Sequence, residues 1–409
     1  MDRPMKGIRI LEVAQFTFVP AAGAVLADWG ADIVKVEHAV TGDPQRGLVR
    51  VLGHDAHRSG SSFAPIMEGP NRGKRSIGID LANPSSRPVL EELVRRSDVF
   101  LTNYLPGVRT KLGLTVEDIR AINPDIIYVT GSGFGSQGAD SDRGAYDATG
   151  FWARGGSADG VMPADADQMA FMPAGAYGDN IGGMAIAGGI SAALVGRERT
   201  GEPSVVDVSL LGVGAWATQF TVNLALFSGG PLPKVQKKSA AVGNPLTGSY
   251  KTSDGRWLQF SMLQPTRFWN EFVTAIGLEH LVDDERFTTL QDISAHSDEI
   301  GGWFADTFAA RTYSEWIEAL QGLSGPWAPV QNSWDLGNDE ALIANGRIAE
   351  VVDADGTIQR LVANPVKFDD AVVQLDRAPQ FAEHTDEILR ELGLDDDELI
   401  GLKIAGAVT

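Results

Sequence analysis

The sequence predicts an α/β protein whose first half forms a doubly wound parallel sheet. Short apolar runs rich in β-branched residues alternate there with amphipathic helical patterns. At 409 residues the chain is longer than one hydrophobic core usually supports, so two domains are expected. Beyond residue 240 the pattern changes to a hairpin and short helices, which predicts a smaller α+β domain.

The elements of the first half follow one another in β-loop-α-β order. The predicted strands span residues 7–14, 32–37, 75–80, 98–102 and 125–130, and the predicted helices span 21–29, 84–96 and 115–122. Because ligands of doubly wound sheets gather at the carboxyl ends of the strands, one crevice is expected there. Its predicted lining comes from the segments that follow Ala14, Glu37, Asp80, Thr102 and Thr130.

Two longer apolar stretches follow this alternation. Residues 181–196 carry only small or apolar side chains, which predicts a helix that packs closely on all sides. A lone carboxylate, Asp179, stands at its start, just after Gly178. The residues alone leave two interpretations open: Asp179 is an ordinary N-cap, or it is a functional carboxylate oriented by the positive end of the helix. Residues 205–227 predict a second long apolar helix.

The second half of the chain has the pattern of a smaller α+β domain. A Gly/Pro cluster at 228–233, followed by residues 234–238, is the best candidate for a linker. Residues 244–260 then predict a hairpin that turns at 253–255. The remaining predicted elements are helices at 267–276, 297–308 and 313–320, an extended segment at 326–330, strands within 350–369 and a short helix at 385–392.

Composition narrows the classes of partner. The formal net charge of −20 argues against nucleic acid and against an anionic membrane surface. The chain holds no cysteine, which excludes disulfides, thiolate metal sites and cysteine nucleophiles. Residues 1–6 show no signal-peptide pattern, and residues 181–196 are too few and too glycine-rich for a transmembrane span. A cytoplasmic protein is therefore expected.

Basic residues are concentrated in the predicted crevice loops of this acidic chain. They are Arg72, Lys74, Arg75, Arg109, Lys111 and Arg143. Such a cluster fits a multiply phosphorylated ligand bound by charge-assisted hydrogen bonds, although solvated surface charges are the competing interpretation. Asn103 and Tyr104 directly follow a predicted strand, where an amide and an aromatic ring either hold an adenine or form a plain structural turn.

Several familiar cofactor motifs are missing from the sequence. No GxGxxG follows the first strand, and GFGSQG at 133–138 leads into a polar run rather than a helix. Walker A and GxSxG sequences are absent, and the six histidines have no metal-ligand spacing. The sequence therefore predicts neither a nicotinamide cofactor nor a bound metal.

Eight stretches, in order along nearly the whole chain, resemble the class III CoA-transferase family, which includes formyl-CoA transferase, carnitine CoA-transferase and α-methylacyl-CoA racemase. They are GIRILEVAQFTFVPAAGAVLADWGADIVKVEH (7–38), NRGKRSIGIDL (71–81), SDVFLTNYLPGVRTKLGL (97–114), INPDIIYVTGSGFGSQG (122–138), GAYDATGFWARGG (144–156), GDNIGGMAIAGGISAALVGRERTG (178–201), NPLTGSYKTSDGRW (244–257) and APQFAEHTDEILRELGL (378–394). Each motif alone is weak, whereas eight in the same order are highly specific.

The resemblance implies an interlocked homodimer of two-domain subunits. Family members combine a large Rossmann-like domain, built from both chain ends, with a small α+β domain from the middle. Applied here, residues 1–200 form the first part of the large CoA-binding domain, and 241–325 form the small domain. Residues 201–240 are a linker helix and connection, and 326–409 return to complete the large domain. The active site is expected between the large domain of one subunit and the small domain of the other.

The resemblance also implies the reaction. Transferases of this family use an aspartate at the position of Asp179 to attack an acyl-CoA thioester, which gives a mixed aspartyl anhydride and CoA thiolate. CoA then passes to a free carboxylic acid, so an acyl-CoA and an acid acceptor are the expected substrates. The site must be closed to water, because anhydrides hydrolyse readily.

Other family positions are matched residue by residue. Gln15 stands where relatives place a His or Gln beside the acyl group, and its side-chain or backbone amide is expected to stabilise the oxyanion. Asp147 matches an acidic residue that orders the active site. The expected CoA contacts are Phe16 and Thr17 at the pantetheine, Ile79 at the adenine, Asn103 and Tyr104 near the CoA, and Lys111 at a phosphate.

The chain departs from the family pattern at positions that bear on its substrate and reaction. His38 replaces a common arginine, so a phosphate contact there is expected to be weaker or absent at neutral pH. The glycine-rich loop of formyl-CoA transferase is matched only by Gly229-Gly230, which argues against an oxalate–formate substrate pair. Tyr146 precedes Asp147 where racemases carry a histidine base, and a tyrosine with a pKa of about 10 is a poor general base at pH 7.

A CoA-transferase is therefore favoured over an α-methylacyl-CoA racemase or epimerase and over a catalytically silent CoA-binding relative. A nicotinamide dehydrogenase has the least support. The acyl specificity has two open interpretations. The side chains of Trp152, Met162, Met169, Phe171 and Met172 either form an apolar wall for an acyl group larger than formate or oxalate, or belong to ordinary core packing.

Overall fold

The computed structural model describes residues 3–51, 53–56, 61–234, 243–371 and 374–409. Residues 235–238 of the predicted linker lie outside these ranges. In chain order the strands are β1 Arg9–Val13, β2 Asp32–Glu37, β3 Arg50–Val51, β4 His54–Asp55, β5 Arg75–Gly78, β6 Val99–Thr102, β7 Ile127–Ser132, β8 Val205–Ser209, β9 Ser249–Lys251, β10 Trp257–Phe260, β11 Trp327–Pro329, β12 Ile348–Val352 and β13 Ile358–Val362.

The α-helices complete the described architecture. They are α1 Phe18–Asp28, α2 Pro65–Asn71, α3 Arg87–Arg95, α4 Pro106–Leu112, α5 Val116–Ile122, α6 Ser157–Val161, α7 Tyr177–Thr200, α8 Leu210–Ala217, α9 Gln219–Ser228, α10 Pro265–Ala275, α11 Leu290–Ala295, α12 Ser297–Phe308, α13 Tyr313–Ala319, α14 Ser333–Gly337, α15 Glu340–Ala344, α16 Thr385–Glu391 and α17 Asp396–Ile404. The chain divides into two compact units, one of Met1–Val161, Met169–Gly230 and Glu340–Thr409, the other of Met162–Gln168 and Pro231–Asp339.

The first unit is built on a six-stranded sheet of order β5-β2-β1-β6-β7-β8, in which all neighbours are parallel. The chain adds β2 and β5 on one side of β1, then crosses over and adds β6, β7 and β8 on the other. Val13 lies opposite Thr102, and Thr102 lies opposite Thr130, so the carboxyl ends of these central strands are level. The predicted α/β class and parallel sheet are confirmed.

Helices cover both faces of this sheet because alternate side chains of each buried strand point to opposite faces. Ile10 and Ile127 face a core shared with α1, α7 and α8. Leu11 and Tyr128, one residue further along their strands, face a second core shared with α3, α5, α16 and α17. The C-terminal helices therefore belong to the same unit as the N-terminal strand.

The second unit has its own aromatic core. Its strands form an antiparallel sheet of order β11-β10-β9, and the predicted hairpin with its turn at 253–255 is confirmed. The rings of Tyr250 and Phe308 stack with centroids 5.1 Å apart, and Trp316 lies 4.8 Å from Phe308. Such aromatic contacts contribute large buried areas in a small unit.

The stretch at 205–227 is not one helix. Val205–Ser209 forms β8, which pairs in parallel with β7, and only then do α8 and α9 follow. Ser209 ends the strand and caps α8, because its side chain accepts a hydrogen bond from Gly212 N. The prediction is wrong here because an edge strand that runs directly into an apolar helix leaves no turn signal between them.

The apolar helices have a limited span. No single helix of the described chain is both long and apolar enough to cross a membrane; α8 and α9 together satisfy length and composition but are bent by 75°.

At the C-terminal end, the predicted strands appear as the hairpin β12–β13, and the predicted helix at 385–392 appears as α16. The following helix α17 is an addition that the sequence pattern does not predict.

Candidate active site

A cleft of about 810 Å³ opens at the carboxyl end of the sheet, where the strand order reverses. Its lining includes Gln15, Phe16, Phe18, Asn103, Tyr104, Arg109, Thr130, Ser132, Ser136, Tyr146, Asp179, Asp207 and Leu210. The predicted crevice is thus confirmed for the segments that follow Ala14, Thr102 and Thr130. Within the described chain, the segments that follow Glu37 and Asp80 do not line this cleft.

Asp179 lies in the first turn of α7, and its side chain lines the cleft. The helix begins after Ala176, whose φ of 60° places it in the left-handed region. Asp147 Oδ2 accepts a hydrogen bond from Gly178 N at 3.0 Å. The N-cap interpretation of Asp179 is therefore wrong: Ala176 is the N-cap, Asp179 lies inside the helix, and a carboxylate from another segment accepts the first-turn amide of Gly178.

The carboxylate of Asp147 also affects the ionisation of Asp179. Burial raises the pKa of Asp179 to about 7, and the negative charge of Asp147 adds to that rise. Burial raises the pKa of Asp147 as well, against the lowering effect of the backbone amides of Gly178 and Asp179. Asp179 is therefore more basic than an ordinary aspartate, which suits a carboxylate that acts as a nucleophile or a base.

Glycines allow the first two turns of α7 to pack closely against neighbouring side chains. A Cβ on Gly178 would lie 2.2 Å from Phe151 Cγ and 2.5 Å from Asp147 Oδ1. One turn on, a Cβ on Gly182 would lie 2.3 Å from Phe18 Cε2. Helix α1 therefore packs directly against the backbone of α7 at Gly182, as the small side chains of residues 181–196 predict.

Gln15 and Asn103 join the carboxyl ends of β1 and β6. Gln15 N donates to Asn103 Oδ1 at 3.1 Å, and Asn103 Nδ2 donates to Gln15 O at 2.7 Å. Gln15 Nε2 donates to Tyr104 Oη at 3.3 Å. Because the backbone amide of Gln15 is already used, only its side-chain amide remains as the predicted oxyanion donor.

Two aromatic rings form one wall of the cleft. Phe16 and Tyr146 meet edge to face, with centroids 5.3 Å apart and planes at 85°. Tyr146 is 65% exposed, so most of its surface is available to a ligand. Thr17 Oγ1 donates to Gln45 Oε1 at 2.9 Å, which turns its hydroxyl toward the protein.

Only Arg109, of the six basic residues predicted to meet phosphates, lines the cleft. Its Nη1 lies 3.4 Å from Tyr128 Oη. Three others are held in ion pairs with carboxylates: Arg72 Nη2 with Asp28 Oδ2 at 2.7 Å, Lys74 Nζ with Glu12 Oε2 at 2.7 Å, and Arg75 Nη2 with Asp32 Oδ2 at 2.9 Å. The side chain of Lys74 is completely buried and has no surface to offer a ligand.

The other predicted CoA contacts lie outside the cleft lining. Arg143 Nη1 is 3.8 Å from Asp140 Oδ1, and Lys111 is exposed in the last turn of α4. His38 is exposed, and its Nδ1 accepts from the backbone amides of residues 40 and 41. Ile79 is only 1% exposed and packs in the core beneath the sheet, which leaves no surface for an adenine in this structure.

The side chains predicted as an apolar wall do not line the cleft either. Trp152 is buried in the core with α1 and α7, and its Nε1 donates to Ala170 O at 3.0 Å. Met172 packs against the same core, whereas Met169 and Phe171 are exposed. Met162 belongs to the second compact unit. Core packing therefore accounts for Trp152 and Met172.

Asp207 is a cleft residue that the sequence interpretation misses. It lies on β8, where Oδ1 accepts from Thr130 Oγ1 at 3.0 Å and Oδ2 accepts from Ser136 N at 3.3 Å. Because residues 205–227 are predicted as one helix, the sequence interpretation does not identify the strand that carries Asp207. The alternation of Val206, Asp207 and Val208 is the signal that an edge strand would place this carboxylate at the mouth of the cleft.

The cleft and fold have counterparts in known proteins. (R)-2-Hydroxy-4-methylpentanoate CoA-transferase of Clostridioides difficile is 27% identical over 401 residues, which cover 98% of this chain and 98% of that protein. Cinnamoyl-CoA:phenyllactate CoA-transferase of Clostridium sporogenes is 28% identical over 395 residues, which cover 96% and 94%. The crystal structure of a CAIB/BAIF family protein from Brucella suis superposes with a TM-score of 0.80 at 27% identity, covering 96% of this chain and 100% of that one.

The family assignment rests on nearly the whole sequence. The model of CoA-transferase family III matches residues 5–385, a range that contains every cleft residue described above. The relatives are also covered along almost their full lengths. This chain belongs to CoA-transferase family III.

Proposed function

We propose that the protein moves CoA from an acyl-CoA thioester to a free carboxylic acid through an acyl anhydride on Asp179. The observation that carries this proposal is the place of that carboxylate. Asp179 is half-buried in the first turn of α7, lines the cleft at the carboxyl end of the sheet, and has a pKa raised to about 7 by burial. Family membership supports an acyl-CoA and a carboxylate as the two reactants.

The proposed cycle consists of four acyl exchanges. An Asp179 oxygen attacks the thioester carbonyl carbon, the C–S bond breaks, and its electron pair leaves with the CoA thiolate. The thiolate attacks the aspartyl carbonyl of the anhydride, which releases the donor acid and forms an aspartyl thioester. The acceptor carboxylate then attacks this thioester, giving a second anhydride and the thiolate. Attack of the thiolate on the acceptor's acyl carbon yields the new acyl-CoA and restores the carboxylate of Asp179.

Gln15 is the proposed oxyanion donor of these exchanges. Each exchange passes through a tetrahedral oxyanion, and a fixed N–H group placed toward it lowers the barrier. Tyr104 and the reciprocal hydrogen bonds with Asn103 hold Gln15 at the cleft. Loss of one such donor costs about 10²–10³ in kcat in other acyl-transfer enzymes.

Arg109 is the proposed contact for a CoA phosphate. It is the cleft-lining member of the predicted basic set, and its Nε is buried without a hydrogen-bond partner in the described chain. The guanidinium group lines the cleft, where it can bind an anionic ligand oxygen by charge-assisted hydrogen bonds. Phosphate contacts by Lys111, Arg143 and His38 stay predictions from the sequence.

The acyl group is proposed to be larger and more apolar than formate or oxalate. Apolar surface from Phe16, Phe18, Tyr146 and Leu210 lines the same cleft as Asp179. The two relatives compared above are named for branched and aromatic acids, which supports the same size class for this chain. Discrimination by such surface is modest, since one methylene changes specificity by about 10–200-fold.

The working form is proposed to be a homodimer. Helix α9 buries none of its residues within the described chain, and Phe220 and Phe227 on it are 78% and 91% exposed. Trp216 on α8 is 70% exposed as well. Large apolar side chains exposed in this number mark an interaction site, and a second copy of the chain is the proposed occupant.

Asp179→Ala tests the proposed function directly. The variant is expected to lose CoA exchange between 4-methylpentanoyl-CoA or cinnamoyl-CoA and a panel of free acids, while its affinity for free CoA stays unchanged. In the presence of acyl-CoA, hydroxylamine should attack the activated carbonyl of Asp179 in the unmodified protein and convert this side chain to a hydroxamate, with release of the donor acid or the CoA thiol. Exchange by the variant would reject the proposal. A (2R)-2-methylacyl-CoA is the probe for the alternative reaction: loss of its α-stereochemistry without CoA exchange would support a racemase, and neither reaction would support a silent CoA-binding relative.

A further inference from the structure

The chain leaves β1 for the cleft through an unusual backbone conformation. Phe16 has a φ of 63°, which lies in the left-handed region that side chains other than glycine rarely adopt. This residue directly follows Gln15, the proposed oxyanion donor. A bulky residue keeps such a conformation only where its surroundings hold it there.

A buried carboxylate and a buried ammonium group hold this turn. Phe16 N donates to Asp43 Oδ1 at 3.1 Å, and the same oxygen accepts from Gln45 N at 3.0 Å. Asp43 Oδ2 lies 2.9 Å from Lys35 Nζ, and Lys35 Nζ donates to Ala14 O at 2.9 Å. The Asp43–Lys35 ion pair thus binds the backbone on both sides of Gln15: Lys35 binds the preceding carbonyl, and Asp43 binds the following amide.

The ion pair is part of a larger buried network. Lys35 Nζ also donates to Glu12 Oε1 at 3.3 Å, and Lys74 Nζ donates to both oxygens of Glu12 at 2.8 and 2.7 Å. Lys74 in addition donates to Pro20 O at 2.8 Å, in the first turn of α1. Although burial alone would lower it, the charges of Asp43 and Glu12 raise the pKa of Lys35 above its ordinary value.

The four charged side chains of this network, Glu12, Asp43, Lys35 and Lys74, are almost completely buried. Burial of charged groups costs free energy unless each charge is paired. In this network the charges also bind backbone atoms at both ends of residues 14–20. These residues carry no charge of their own between the strand and the helix. The network is therefore placed to fix the path of this one loop.

We propose that Asp43, with Lys35, is a positioning residue for CoA transfer: it holds Phe16 in the left-handed conformation and thereby keeps the side-chain amide of Gln15 at the reacting carbonyl. Asp43 itself does not touch the substrate. The inference rests on the proposed function of the cleft and adds to it a reason for the placement of Gln15.

The first test compares Asp43 with a matched carboxylate at the opposite end of β1. Asp98 accepts from Arg9 N at 3.0 Å and from Arg197 Nη2 at 2.8 Å, so it also joins a backbone amide to a cation. Asp43→Ala is expected to lower kcat about 10–100-fold, with KM for the acyl-CoA changed less than about threefold. Asp98→Ala should lower the melting temperature but keep kcat. A rise in KM alone, or an equal loss in kcat from both variants, overturns the proposal.

The second test asks whether Asp43 acts through the backbone of Phe16. Glycine adopts the left-handed conformation without the cost of a Cβ, so Phe16→Gly should reduce the need for Asp43. Asp43→Ala is then expected to cost less than about threefold in kcat in the Phe16→Gly background. An equal cost in both backgrounds overturns the proposal. Asp43→Asn, which keeps an oxygen acceptor, should lose less than Asp43→Ala and serves where the alanine variant does not fold.

Amide hydrogen exchange separates this inference from the proposed function. If the unmodified protein transfers no CoA, the proposed function fails. The amide hydrogen exchange of residues 15–17 still measures how firmly this loop is held. Faster amide hydrogen exchange there in Asp43→Ala, which removes the acceptor of Phe16 N, than in Asp98→Ala supports the positioning role. Unchanged exchange in this segment overturns it, whatever the activity.

Discussion

Asp147 accepts a hydrogen bond from Gly178 N at 3.0 Å, immediately before Asp179, and so one carboxylate fixes the helix that carries the other. Asp147 precedes a π-helical turn, Ala148–Ala153, and reaches α7 from that separate segment. The same carboxylate adds a negative charge beside the proposed nucleophile, which raises the pKa of Asp179 beyond the effect of burial. Structure and reactivity at this corner therefore depend on the same side chain.

Asp147→Asn should separate these two effects. The asparagine oxygen can still accept from Gly178 N, whereas the negative charge is gone, so the pKa of Asp179 is expected to fall from about 7. The acidic limb of the pH–rate profile should move to lower pH while the melting temperature changes little. Asp147→Ala should also lose about 1 kcal/mol of unfolding free energy, because the helix cap is removed. An unmoved acidic limb in both variants would refute the electrostatic role of Asp147.

The unmodified enzyme should lose activity in mild acid. Only the ionised carboxylate of Asp179 can attack a thioester, and burial raises the pKa of this group to about 7. The value of kcat/KM is therefore expected to rise with pH and to reach half of its plateau near pH 7, since this parameter reports the free enzyme. Initial rates at saturating acid acceptor between pH 5.5 and 8.5 would measure this. A flat profile over that range would contradict it.

The strand-helix alternation of the first unit can be predicted from sequence because its strands are buried on both faces. Runs such as Asp32–Glu37 carry their own signal, and the structure gives that strand the predicted bounds. The edge strand Val205–Ser209 has no continuous buried run, because it is half exposed and continues directly into α8; its only signal is a short alternation that the adjoining apolar helix conceals. With it the sequence interpretation loses Asp207, a cleft residue that the strand alternation would have placed.

Site residues that follow the end of a strand can be predicted from the sequence. Those whose role depends on a contact with a residue distant in the sequence cannot. Asn103 is found because it comes directly after β6, and Gln15 is found from the family resemblance in the crevice segment that follows β1. The charge of Lys74 does not reveal whether it meets a ligand or a carboxylate, and its partner Glu12 lies on β1, 62 residues earlier in the chain. Asp43 likewise has no local signature, because its contact with Phe16 exists only in the folded chain.

Loss of charge should affect KM for acyl-CoA at Arg109 and the stability of the fold at Arg75. Arg109→Gln removes a cation from the cleft and is expected to raise KM for acyl-CoA about tenfold with little change in melting temperature. Arg75→Gln removes ion pairs to Asp32 and Glu391 outside the cleft lining, so it should lower stability and leave KM unchanged. Steady-state kinetics with thermal unfolding of both variants would decide this. A raised KM in Arg75→Gln would restore that residue as a CoA contact.

Two glycine substitutions on α7 should have opposite effects on stability. A methyl group at Gly178 would meet Phe151 and Asp147 within 2.5 Å, so Gly178→Ala is expected to displace the cap and to cost about 1–3 kcal/mol together with most of the activity. Gly188 is exposed and has open space at its Cβ position. Gly188→Ala should therefore stabilise the helix by about 0.5–1 kcal/mol without changing kcat. Denaturant unfolding gives both values, and destabilisation by both variants would contradict the packing described here.

The carboxylate of Asp179 should make the fold less stable as pH rises. Its pKa is about 7 in the folded protein and 3.8 as the ordinary value, so between these pH values the native state holds a proton that the unfolded chain has released. The stabilising contribution is complete below pH 3.8 and is lost as pH rises through about 7. Asp179→Asn stays neutral throughout, and it should therefore exceed the unmodified protein by about 1–2 kcal/mol of unfolding free energy at pH 8. Urea unfolding at pH 5.5, 7 and 8 would show this advantage shrinking as pH falls, whereas a constant difference would assign it to packing instead of to the buried charge.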